Sequence, residues 1–112
     1  MDKKVRIADH ALQFDWGTME IIASATGKDA TNPLEGIEKI SEQALYILYG
    51  GLCRVEDNDD KAISWTIEQV KKVLKAFSFG EVTQVVKAFS KTLQVDLGEE
   101  NKVAEQEEKK SE

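Results

Sequence analysis

Apolar residues recur along this chain with two different periods. From Lys4 to Phe14 (KVRIADHALQF) they come in short alternating pieces, Val5/Ile7 and Ala11/Leu12/Phe14, a pattern that fits a small strand or hairpin. Beyond Phe14 the period is helical. Asp15 is a favoured N-cap residue and Gly27 a C-terminal stop, so a first helix is predicted to about Thr26. Its apolar face collects Trp16, Met19, Ile22 and Ala23. A second helix is predicted to start at Asn32 as N-cap, with Pro33 where its fixed φ and missing N–H cost least. Leu34, Ile37, Ile40, Ala44, Ile47 and Leu48 form its stripe, with Glu38, Lys39, Glu42 and Gln43 opposite. Gly50-Gly51 marks an end for it, although Leu52 keeps to the stripe and allows one further turn.

After an acidic loop, Glu56 to Asp60, two helix starts follow with the same grammar. Thr66 precedes Gln69 by three residues, and Trp65 and Val70 occupy hydrophobic-staple positions. Ser78 precedes Glu81 in the same way, with Phe77 and Val82 as the staple pair. The third helix is predicted to bury Ile67, Val70, Val73, Leu74 and Phe77, the fourth Val82, Val85, Val86, Phe89 and Leu93. Phe77 ends one helix and Ser78 caps the next, so the connection is a tight helical hairpin or corner. The fold class is mainly α: a small bundle of about four helices with room for a short N-terminal β element.

Composition sets the limits of this domain. The chain has 112 residues, of which 41% are hydrophobic, enough for one modest core. Residues 1–97 carry the fold. Residues 98–112 (GEENKVAEQEEKKSE) hold six acids, three lysines and little apolar surface, which predicts a frayed or disordered acidic tail. The formal net charge is −6, unlike the basic balance of a general nucleic-acid binder. That charge is unevenly placed. Residues 66–95 contain Lys71, Lys72, Lys75, Lys87 and Lys91 against only Glu68 and Glu81. No apolar run approaches the roughly 20 residues that span a bilayer, and no signal-like stretch follows Met1. A cytoplasmic protein is the expectation.

The search for chemistry yields decoys. Reading Asp57 as the first position of a calcium loop places Asp59 third and Glu68 twelfth. It also puts Lys61 where an oxygen ligand is needed and Ala62 where the turn calls for glycine. Cys53 and His10 are the only residues of their types, too few for a structural zinc site. A Cys53–His10 nucleophile and base would need the fold to bring them together; Cys53 reads more simply as a buried small hydrophobe and His10 as a surface residue. No phosphate-binding, dinucleotide-binding or hydrolase motif occurs. No catalytic residue, cofactor or metal is therefore assigned. Tyr46 falls on the polar side of the second helix and Tyr49 on its flank, as for an interface or a second intrachain contact.

The order of these features resembles the tail assembly chaperones of long-tailed bacteriophages and gene transfer agents. The resemblance rests on an aromatic–Asp–aromatic entry, Phe14-Asp15-Trp16-Gly17-Thr18-Met19-Glu20, and on the apolar run Ala44-Leu45-Tyr46-Ile47-Leu48-Tyr49-Gly50-Gly51-Leu52. A Thr-capped helix, Trp65-Thr66-Ile67-Glu68-Gln69-Val70, and a last helix with spaced valines, Glu81-Val82 to Phe89, complete it. It covers about residues 5–95; the acidic tail and the lysine-rich third helix lie outside the pattern. It implies a non-enzymatic protein of the host cytoplasm that binds the tape-measure protein and helps recruit tail-tube subunits, with self-association left open. The surface expected to serve that role is Tyr46, Tyr49, Leu52 and the Lys71/Lys75 edge. The alternative is a regulatory or adaptor protein that meets a protein or nucleic-acid partner through the Lys71–Lys91 hairpin.

Overall fold

The N-terminal alternation becomes an antiparallel hairpin in the computed structural model, which describes residues 4–96 and side-chain surroundings through residue 92. Strand β1 (Lys4–Ile7) pairs with β2 (His10–Gln13), Val5 opposite Leu12 and Ile7 opposite His10. Ala8 and Asp9 turn the chain with φ of 50° and 65°, the left-handed pair whose twist suits a two-residue hairpin. Four helices follow: α1 (Trp16–Thr26), α2 (Ile40–Asn58), α3 (Ile67–Lys75) and α4 (Phe79–Asp96). The fold is mainly α. The predicted acidic tail lies outside the described residues, and so do the surroundings of Leu93.

Helix α2 is the hub. Helices α1, α3 and α4 and strand β2 all pack on it, while β1 leans on α4. Its buried face, Ala44, Leu45, Ile47, Leu48, Leu52 and Cys53, forms the centre of the core. Leu12, Phe14, Ile22, Val70 and Val85 close around that face from the other elements. The phenyl rings of Phe14 and Phe89 meet edge to face at 5.7 Å, joining the β2–α1 junction to α4.

Two sequence expectations about α2 are corrected. It does not begin at Asn32–Pro33. Residues 29–37 instead form successive turns, with Thr31 bonded to Asp29 Oδ1, Glu35 N–H to Asn32 O and Ile37 N–H to Leu34 O. Gly36 has φ of 83°, a left-handed conformation that no right-handed helix passes through. Ile40, assigned to the buried stripe, is consequently exposed on the first turn. Nor does the helix stop at Gly50-Gly51. It continues to Asn58, because the missing side chains allow α1 and β2 to approach. A Cβ on Gly50 would lie 2.5 Å from Ile22 Cγ1, and one on Gly51 would lie 2.8 Å from Phe14 Cε1.

Apart from Asn32, the predicted N-caps form. Thr66 and Gln69 exchange backbone and side-chain hydrogen bonds, as do Ser78 and Glu81. On α1, Asp15 Oδ1 accepts the Thr18 N–H while Thr18 Oγ1 accepts the Asp15 N–H. Gly27 closes that helix with φ of 75°. The face of α1 is rotated from the expected one. Thr18 is fully buried and donates its hydroxyl to Gln13 O at 2.6 Å. With Thr18, Met19, Ile22 and Ala23 inward, Trp16 sits about 90° from the centre of the face by helical geometry. It is 54% exposed.

Asp15 also ties α1 to α2. Its carboxylate accepts Gln13 Nε2 at 2.7 Å and Arg54 Nε at 2.7 Å, and Arg54 reaches on to Asp57 at 3.2 Å. Burial pushes the Asp15 carboxyl up, but the Arg54 bond, the Gln13 bond, the Arg54 charge and the Thr18 N–H together hold it below the usual value of 3.8. A carboxyl depressed in the fold adds stability above its unfolded pKa, and that stability is lost as pH falls through the folded value. Asp15→Asn keeps a good cap and removes the charge. The variant should lose about 1 kcal/mol at neutral pH and show a flatter acid limb in urea unfolding between pH 5 and 2. An unchanged acid limb would remove Asp15 from the stability account.

Candidate protein-binding groove

The residues expected to form the partner surface separate on folding. Tyr46 and Tyr49 are half-buried, and both pack against the core of their own chain. Leu52 is a correction. It is 5% exposed because α2 runs on for two turns past the glycines, and a residue expected at a helix end lies in the helix middle. It offers no surface. Lys71 and Lys75 remain exposed on α3.

Those lysines edge an open groove between α2 and α3. Ser41, Glu42 and Leu45 line it from the first turns of α2, and Lys71, Leu74 and Lys75 from α3. Its volume is about 270 Å³ and its surface is mostly apolar. Leu45 is buried and Leu74 half-buried, so both form the floor beneath the charged rim. The volume falls below the usual range of small-molecule sites and suits inserted side chains better than a cofactor. Ile40, one residue before Ser41, adds an aliphatic side chain that is 59% exposed. Helix α3 is lightly anchored: Val70 is its one fully buried residue, while Ile67, Val73 and Leu74 are half-buried.

Ser41, Glu42, Leu45 and Leu74 were not legible as site residues. Leu74 belongs to the predicted buried face of the third helix and reads as core, while Leu45 falls outside the predicted stripe of the second helix although it is buried. Only the packing of α3 on the first turns of α2 leaves their outer edges open together. The Lys71–Lys91 hairpin also changes character. Helices α3 and α4 each pack on α2 and scarcely touch one another, so the connection is a corner, and Lys87 and Lys91 do not line the groove.

On the other side of α3, Ser64, Trp65, Gln69, Lys72 and Val73 line a second depression of about 380 Å³. His10 is not the surface residue expected. It is half-buried, with its ring stacked on Phe77 at 6.1 Å and edge-on to Trp65 at 6.5 Å. The imidazole thereby fastens both ends of α3 to the hairpin. Cys53 is fully buried with the Tyr49 hydroxyl beside its thiol. The acidic loop is largely helix. Glu56 Oε1 and Oε2 accept the Ser64 N–H and hydroxyl, Asp57 accepts Arg54, and Asp60 turns left-handed with φ of 60°. Among the described residues no group of three or more His, Cys, Asp and Glu side chains could hold a metal ion. No helix of the described residues is long and apolar enough to cross a membrane. Comparison with protein-family models, curated proteins and solved structures finds no match for this chain.

Proposed function

We propose that this protein is a non-catalytic assembly chaperone of the phage-tail type. It binds helical segments of the tape-measure protein, keeps them from aggregating, and helps recruit tail-tube subunits. The observation that supports the reading is the α2–α3 groove, an apolar floor of Leu45 and Leu74 under a charged rim of Glu42, Lys71 and Lys75. An amphipathic helix buries its stripe in such a floor and leaves its polar flanks to the rim. The charged rim keeps the complex in solution.

Co-expression with the tape-measure protein of the same gene cluster should raise the soluble fraction of that protein several-fold after centrifugation. Size-exclusion chromatography should then recover the two chains together. An unchanged soluble fraction, or a gene lying outside any cluster of tail genes, would overturn the proposal.

A further inference from the structure

The charges around the groove specify what kind of helix fits it. Lys71 and Lys75 stand four residues apart on α3, about 6 Å along the axis, with Leu74 between them in sequence. The facing wall carries Ser41 and Glu42. Glu42 is the single carboxylate among the lining residues.

We propose that the groove selects an amphipathic helix with an acidic flank. Its apolar stripe lies on Leu45 and Leu74, and two carboxylates three or four residues apart meet Lys71 and Lys75 across one edge. The opposite flank presents a cation or a hydrogen-bond donor to Glu42 and Ser41. A helix with a basic flank would set like charges against the two lysines and is rejected. The asymmetry also fixes direction. Turning such a helix end for end, apolar face down, exchanges its flanks and brings its acids to Glu42. The inference rests on the reading of the groove as a helix-binding surface.

Two synthetic helical peptides with the same leucine stripe test it, one with glutamates and one with lysines on the flank that meets α3. Each is titrated into the full chain by calorimetry at low and at physiological salt. The glutamate peptide should bind about tenfold tighter or more, with the preference shrinking as salt rises. The Lys71→Glu/Lys75→Glu double variant, its fold checked by circular dichroism, should reverse the preference. Equal binding of both peptides would overturn the charge selection and leave the helix groove standing. Binding of neither would overturn both. A dimer of the chain alone that the double variant dissociates in sedimentation would assign the groove to a second copy and overturn the proposal.

Discussion

Phe14→Ala is expected to destabilise the fold by about 3–5 kcal/mol, a large part of the roughly 5–15 kcal/mol that holds a small domain together. The ring is 1% exposed and lies where three elements meet. It follows directly from β2, stands edge-on to Phe89 of α4 at 5.7 Å, and covers the Gly51 position of α2. Truncation therefore leaves a void that no single neighbour can fill. A double-mutant cycle with Gly51→Ala separates this account from simple loss of apolar surface. Alone, Gly51→Ala gains about 1 kcal/mol of helix propensity and pays about 1–3 kcal/mol for overpacking. The new methyl would press on Phe14 Cε1 at 2.8 Å and Leu12 Cβ at 3.1 Å. With the ring removed, the closer of those contacts disappears. Gly51→Ala should then be neutral or stabilising, with a coupling of about 1 kcal/mol or more. Urea unfolding of the four proteins measures it, and additive effects would show that the glycine is not there to admit the ring.

The same junction marks where sequence reasoning succeeds and where it stops. Caps are local, and Asp15, Gly27, Thr66 with Gln69, and Ser78 with Glu81 could all be read from neighbours within four residues. Gly50-Gly51 could not. A glycine pair looks like a stop until Ile22 and Phe14, both distant in sequence, are known to fill the space. Asn32-Pro33 failed for the converse reason. Its local grammar was sound, but those groups serve turns instead, with Pro33 buried and its carbonyl accepting the Thr26 hydroxyl at 2.7 Å. Trp16 was misplaced because a buried threonine, held by Gln13 and Asp15, does not register in an apolar periodicity. The groove was half legible. Lys71 and Lys75 stood out by their charge, whereas Leu45 and Glu42 became site residues only once α3 was laid against α2.

Cys53 should be nearly inert toward iodoacetamide at pH 8 in the native protein and react at least about 100-fold faster in urea. Burial pushes its thiol up from an ordinary 9.0 to about 11, with the Glu56 charge adding to the rise and the Tyr49 hydroxyl opposing it. At pH 8 a thiol at 11 is ionised to about one part in a thousand, against about one in ten at 9, and the thiolate is the reactive form. Closed packing adds a second barrier, since the side chain has no exposed surface. The same shift has a thermodynamic sign. An acid whose folded pKa is raised gives stability that is complete below the unfolded pKa and is lost as pH climbs through the folded one. The window is therefore pH 9 to 11, and the loss across it is roughly 2–3 kcal/mol. Cys53→Ala should flatten that alkaline limb in urea unfolding while costing about 1 kcal/mol at pH 7 for the small void it leaves. Fast alkylation of the native protein would contradict the burial argument and reopen Cys53 as a nucleophile. The part of the alkaline limb that survives the substitution belongs to Tyr49, whose hydroxyl is also pushed up by burial. Slow alkylation would leave the chain without an accessible thiol for covalent chemistry, consistent with a surface that works by shape and charge.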